Sequence, residues 1–288
     1  MKKIMAYLTK DKYASMFDIV VSCDSGADVI ATYTSVEEAT IQEVVYGLAF
    51  TRHPRDIKNG MIFIGGSKVP EAESILEEVI KVMNTIPEVL RASVVIDPSG
   101  AYTTSAAAVV KIMKAVQALN LENPKAVILA GTGPVGMRIG ALLSKENIQT
   151  RLTSRSLERA KKACEDIKAK YGFEVEAVEA SDEEGIRRAI DGCEIAITTG
   201  PPGVRLLPKK IWKSSKLKIM VDANAVEPYG IEGIKVNDDL TSRNDGLWIG
   251  ALGIGNLKIK LHRKLIERAF QEREIFTLEK VYEIVKTL

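Results

Sequence analysis

Short runs of apolar and β-branched residues alternate with longer stretches of helical period along the whole chain. In the first half FDIVVSCD (17–24), MIFIGG (61–66) and ASVVIDPSG (92–100) read as strands, and VEEATIQEVVYGLAF (36–50) and EAESILEEVIKVMNTI (71–86) between them read as helices. Strands separated by helix-length patterns predict βα units on a mainly parallel sheet. A further helical stretch, SAAAVVKIMKAVQAL (105–119), runs into NLENP at 120–124, where Asn and Pro break the pattern. We set a domain boundary there, between residues 122 and 123.

The second half restarts with strand AVILA (126–130), helix PVGMRIGALLSKE (134–146), strand IQTRLT (148–153), helix SLERAKKACEDIKAKYG (156–172) and strand EVEAVEA (174–180). Helix DEEGIRRAID (182–191) and strands CEIAITTG (193–200) and LKIMVDA (217–223) follow. That βαβαβ order predicts a Rossmann-type domain over 123–257, so the expected fold class is α/β in two domains. On the helix after Ser156, Leu157, Ala160, Cys164 and Ile167 share one face, with Ser156 as N-cap and Gly172 as the stop. Cys164 therefore reads as a core residue.

With 288 residues the chain is long for one core and comfortable for two. Lys and Arg number 40 against 38 Asp and Glu, a formal charge of +2, which asks for no nucleic-acid or membrane partner. The three cysteines, Cys23, Cys164 and Cys193, are scattered and form no CxxC. We expect a reduced, cytoplasmic protein, since neither a signal peptide nor an apolar run of membrane-spanning length is visible. The two histidines, His53 and His262, stand too far apart in sequence to suggest a metal site or a catalytic triad, and no metal is expected.

Candidate chemistry begins at Gly131-Thr132-Gly133-Pro134-Val135-Gly136, a G-x-G-x-x-G between a strand and a helix. In that context backbone N–H groups and the helix dipole face a pyrophosphate, whereas a plain strand-to-helix turn is the bland alternative. A site for NAD would place Asp or Glu about 20 residues beyond the first glycine, on the ribose 2′-hydroxyl. Here the stretch reads Arg151 to Ser156 without a carboxylate, and Ser154, Arg155 and Ser156 supply donors suited to a 2′-phosphate, so NADP is the expected cofactor. Arg159, Lys161 and Lys162 follow on the helix, the lysines reading as a solvated face.

Two more turns follow strands: Thr198-Thr199-Gly200-Pro201-Pro202-Gly203 and Asp222-Ala223-Asn224-Ala225. Thr199, Gly200, Pro201 and Asn224 are candidates for lining the ribose or nicotinamide, although Gly-Pro turns also close loops routinely. In Gly250-Ala-Leu-Gly253-Ile254-Gly-Asn256 the glycines let backbone approach a ligand, and a helix is expected from Asn256. Lys258 would then sit in a first helical turn, where the dipole opposes it, which suggests a ligand contact; a lysine extended into solvent would look the same. In the first domain Asp18, Asp24, Asp28, Asp97, Thr103 and Thr104 lie at or beyond candidate strand ends, and spacing does not choose among them.

Four stretches, AGTGPVGMR (130–138), FDIVVSCDSGAD (17–28), IDPSGAYTTSAAA (96–108) and IGALGIGNLKIKLHR (249–263), together resemble the NADP-dependent methylene-tetrahydromethanopterin dehydrogenases, a family with members acting on methylene-tetrahydrofolate. The likeness spans nearly the whole chain and departs from the family at Lys68 and Ala223. It implies a first α/β domain over 1–122 that helps form a pterin cleft, with the C-terminal helices at about 258–288 returning to it. It also implies a homo-oligomer, with a trimer the expected form. The reaction implied is hydride transfer from the methylene bridge of a reduced pterin to NADP, which needs no general base. On that resemblance Asp18 or Asp97 recognises the pterin and Lys258 orients it. Another two-domain NADP oxidoreductase of shikimate-dehydrogenase type, or a non-catalytic NADP sensor, would keep the same glycine turn.

Overall fold

The computed structural model describes residues 1–288. The chain runs β1 (Ile4–Leu8), α1 (Met16–Asp24), β2 (Val29–Tyr33), α2 (Glu38–Phe50), β3 (Gly60–Ile64), α3 (Val69–Met83), β4 (Ser93–Ile96) and α4 (Ala101–Ala118). It continues β5 (Lys125–Leu129), α5 (Pro134–Lys145), β6 (Gln149–Ser154), α6 (Leu157–Tyr171), β7 (Glu176–Glu179), α7 (Glu183–Ile190), β8 (Ile195–Thr198), α8 (Lys209–Trp212) and β9 (Ile219–Asp222). A hairpin of β10 (Asp239–Arg243) and β11 (Gly246–Ile249) leads to α9 (Ala251–Ala269), β12 (Ile275–Phe276) and α10 (Leu278–Val285). Two compact units result: Met1–Thr103 with Ile259–Leu288, and Thr104–Lys258. Both dividing points fall inside helices, α4 and α9, whereas the sequence reading set the first at the Asn/Pro break after α4. That break ends a helix; α4 from Thr104 onward belongs to the second unit, where the Ser105 hydroxyl donates to the Val135 carbonyl at 3.0 Å.

The first unit is a parallel sheet in the order β2-β1-β3-β4-β12. This is a doubly wound order in which the switch point lies between β1 and β3. β3 and β4 are buried from end to end, as is β1 after its first residue. The last strand comes from the far end of the chain: Val94 N–H donates to the Glu274 carbonyl at 2.9 Å, the Ser93 hydroxyl to the Glu272 carbonyl at 2.7 Å, and the Phe276 ring is fully buried.

One expectation is overturned here. FDIVVSCD is not a strand but α1, capped by Ser15, whose Oγ accepts from Asp18 N–H at 3.3 Å. Its buried residues Asp18, Val21 and Ser22 follow helical spacing, and the run of Ile19, Val20 and Val21 imitates a strand only by composition. The first strand is instead IMAYL at 4–8.

The second unit has the order β7-β6-β5-β8-β9-β11-β10, parallel except for β10. This is the Rossmann arrangement, and the order reverses between β5 and β8, which opens a crevice beyond their carboxyl ends. One face packs Val127, Leu129, Ile211, Trp212 and Trp248, the two tryptophans edge to face at 5.3 Å. The other packs Ala141, Leu152, Ala163 and Ile167, with Cys164 beside them and its thiol pushed up to about 11 by burial. The hairpin was not foreseen: Asn244 and Asp245 turn it with φ of 47° and 56°, a two-residue turn inside a short polar stretch. No helix is long and apolar enough to cross a membrane.

Because Phe276 fills the first unit's core from a two-residue strand, Phe276→Ala should lower unfolding stability by about 3–5 kcal/mol, read as a shifted urea midpoint. A loss below about 1 kcal/mol would mean that the C-terminal strand is not part of that core.

Candidate functional site

The glycine turn lies where β5 hands over to α5. Ala130 leaves the strand in a left-handed conformation, φ 54°, which a non-glycine residue adopts only when its surroundings insist. The surroundings are visible: its N–H donates to Thr153 Oγ1 at 3.2 Å, and Gly131 N–H donates to the Thr153 carbonyl at 3.0 Å, tying the turn to β6. A Cβ on Gly131 would stand 2.9 Å from the side chains of Ile128 and Leu152, and one on Gly136 would collide with the Gly131 backbone and stand 2.6 Å from Thr199 Oγ1. Gly133 differs, since a Cβ there would meet nothing within 4 Å. Two glycines are demanded by packing, and the third keeps open the space in front of the α5 N-terminus.

That space belongs to a cleft of about 480 Å³. Leu129, Ala130, Thr132 and Gly133 line it from the turn, and Thr153, Ser154, Arg155 and Arg159 from the end of β6 and the start of α6. Thr199, Gly200, Pro201, Val204 and Leu206 follow β8, and Ala180 and Ile186 add apolar surface. Of the expected cofactor residues, Thr132, Gly133, Ser154, Arg155, Thr199, Gly200 and Pro201 border the cleft, while Gly131, Pro134, Val135, Gly136 and Ser156 are not among its lining residues. Ser156 is the α6 N-cap, its Oγ accepting from Arg159 N–H at 3.4 Å. Arg155 and Arg159 are exposed and neither guanidinium is paired with a carboxylate, unlike Lys162 with Asp166 and Lys168 with Glu174, both at 2.7 Å. Arg159, read from sequence only as a residue further along the helix, thus shares the cleft with Arg155.

Three expected residues fall outside this cleft. The Asn224 side chain is consumed by its own turn, Oδ1 accepting from Val226 N–H and Nδ2 donating to the Val226 carbonyl, both at 3.0 Å. Gly253 and Ile254 lie within α9, which begins at Ala251 and not at Asn256. A Cβ on Gly253 would strike the Asp238 carbonyl, and one on Gly250 would stand 2.6 Å from the Val236 carbonyl oxygen, so these glycines press the helix onto backbone at 235–239. Lys258 is therefore more than a turn inside α9 and half-buried, and the first-turn dipole argument for it does not apply.

In the first unit Asp18 and Asp97 mark the two ends of one aromatic stack. The Tyr7 hydroxyl donates to Asp18 Oδ2 at 3.0 Å; the Tyr7 ring stacks on Phe63 at 5.4 Å, and Phe63 on His262 at 5.5 Å, with planes 7° apart. His262 Nδ1 stands 3.7 Å from Asp97 Oδ2. Burial and the Asp18 charge push the Tyr7 hydroxyl well above the usual phenol range. Asp97 is 0% exposed: Oδ1 accepts from the N–H groups of Tyr102 and Thr103 at 3.0 Å, and Oδ2 accepts from the Thr103 hydroxyl at 2.6 Å. Its carboxylate caps the start of α4 from inside and is turned away from solvent. Asp18, on α1, is also buried, at 6% exposure. Asp24 pairs with Arg263 at 3.3 Å and Asp28 accepts from Lys3 N–H at 2.7 Å, both at exposed positions. His262 was missed because its partners lie far away in sequence, at Phe17, Phe63 and Asp97.

A family model described as methylene-tetrahydromethanopterin dehydrogenase, N-terminal, matches residues 16–99. Two proteins of Methylorubrum extorquens are similar over nearly the full length. The bifunctional protein MdtA is 36% identical over 289 residues, covering 100% of this chain and 99% of that protein. An NAD(P)-dependent methylenetetrahydromethanopterin dehydrogenase is 31% identical over 285 residues, covering 96% and 95%. Among solved structures, quinate dehydrogenase from Corynebacterium glutamicum in complex with NAD superposes with a TM-score of 0.52 at 14% identity, covering 100% of this chain and 99% of that one, which is a likeness of fold.

The two kinds of glycine should separate by stability. Gly136→Ala is expected to lose about 1–3 kcal/mol through overpacking, and Gly133→Ala to stay within about 0.5 kcal/mol of the parent in a denaturant melt without ligand. Equal losses would contradict the packing described.

Proposed function

The chain belongs to the methylene-tetrahydromethanopterin dehydrogenase family, and from that premise we propose that it is an NADP-dependent oxidoreductase taking a hydride from the methylene bridge of a reduced pterin. Methylene-tetrahydromethanopterin is the substrate favoured by the family, with methylene-tetrahydrofolate as the second to be tried. The observation that carries the cofactor half is the cleft in front of Gly133, with two unpaired arginines at its β6 side and no carboxylate on that strand end.

The residues present fit a dinucleotide. The first turn of α5 offers backbone N–H groups that have no partner within the helix, and Gly133 leaves room for a pyrophosphate against them. Arg155 and Arg159 would grip a 2′-phosphate, where a carboxylate would repel it. NADP, when bound, supplies the hydride acceptor. The carbon that gives up the hydride becomes an amidinium-like cation, so no proton has to be removed, and the chain's work is orientation and charge. We assign Asp18 to the pterin: the Tyr7 hydroxyl donates to its carboxylate and fixes its direction. Asp97 holds the start of α4 at the far end of the ring stack, and Lys258 orients the substrate through a carbonyl or carboxylate.

Purified protein given NADP and methylene-tetrahydromethanopterin should form NADPH, followed by absorbance; absence of turnover with this pterin and with methylene-tetrahydrofolate overturns the function. Arg155→Ala and Arg159→Ala should each weaken NADPH binding about tenfold or more while NADH binding changes little, the scale of one lost charged hydrogen bond. Equal losses for the two dinucleotides would remove the basis for choosing NADP. For Lys258→Ala we expect lower pterin turnover with NADPH affinity kept, and unchanged kinetics would return that side chain to solvent.

A further inference from the structure

Asp222 ends β9 and is 1% exposed. Two backbone donors hold its carboxylate: Asn224 N–H reaches Oδ1 at 2.9 Å and Ile231 N–H reaches Oδ2 at 3.2 Å. Burial pushes this carboxyl above its usual range while those donors pull it back. A buried charge held by dipoles alone is costly, and it persists where it fixes something.

What it fixes is the turn over 223–230. The Gly230 carbonyl at the end of that turn accepts from the N–H groups of Leu206 and Leu207, both at 2.8 Å, and Leu207 bridges Ile231. Leu206 stands in the wall of the dinucleotide cleft. Gly230 is pressed onto the end of β8, since a Cβ there would lie 2.7 Å from Thr198 Oγ1. The next residue, Thr199, serves the glycine turn, its hydroxyl donating to the Ala130 carbonyl at 3.3 Å. Neighbouring threonines on one strand end thus meet the 223–230 turn and the glycine turn.

We propose that Asp222 is a positioning residue for the dinucleotide: through the Gly230 carbonyl its carboxylate sets where Leu206 stands, so the cleft wall is formed before the cofactor arrives. The proposal rests on the reading of the cleft as an NAD(P) site. Asp222→Asn should weaken NADPH and NADH alike by about tenfold, leaving their ratio unchanged, in contrast to Arg155. The KM for the pterin should move by less than about twofold, and Asp222→Asn combined with Leu206→Ala should bind little worse than the weaker single variant. Dinucleotide affinity within about twofold of the parent, or additive losses in the pair, would overturn the proposal. Asp222→Glu keeps the charge but displaces the carboxylate from these donors; if Asp222→Asn fails to fold, it carries the same tests. Amide exchange at Leu206 and Leu207, read without ligand, should quicken in Asp222→Asn or in Asp222→Glu. Unchanged exchange overturns the link itself, whereas parent protein that binds neither NADPH nor NADH overturns only the reading of the cleft.

Discussion

The backbone contact between Gly131 and Gly136 is the constraint on which the second unit turns. No side chain, even a methyl group, fits at either position. The chain can therefore leave β5 and enter α5 within a few residues, and the helix starts close against the strand ends. Ala130 accepts a left-handed conformation to make that turn, held by Thr153. Thr199 packs on the same contact from β8, so three strand ends are drawn to one point and the N-terminus of α5 faces the space they leave.

Both units handle buried carboxylates in a related way. Asp97, just after β4, and Asp222, the last residue of β9, each accept from two backbone N–H groups, and Asp97 accepts from the Thr103 hydroxyl as well. Each such bond contributes about 1.5–3 kcal/mol, while removing a carboxylate from water costs several kcal/mol, so the sum is modest. What these groups supply is placement. Asp97 ties the start of α4 to the end of β4, and Asp222 closes a turn onto the end of β8. In the first unit the stacked rings of Tyr7, Phe63 and His262 add the rigidity of close-packed planes between Asp18 and Asp97.

Local patterns were legible where one segment contains its own reason. The glycine turn carries its packing in six residues, and α6 carries its cap at Ser156, its apolar face and its stop at Gly172, where φ is 76°. FDIVVSCD misled because three β-branched residues in a row satisfy strand composition, while the helix is decided by the Ser15 cap and by which residues the sheet buries. GALGIGN read as a ligand loop because glycines mark close approach without saying to what; here the neighbour is the chain at 235–239.

The sequence by itself determined the α/β alternation, the glycine turn and the absence of a carboxylate after β6, since each depends on spacing along a few neighbouring residues. Tertiary structure alone decided that the fifth strand of the first sheet comes from Ile275 and Phe276, that His262 stacks on Phe63, that Arg159 joins Arg155, and that Asp97 and Asp18 are both buried. Those outcomes depend on partners far away in the chain, and burial and hydrogen bonding, unlike periodicity, leave no mark on the local pattern.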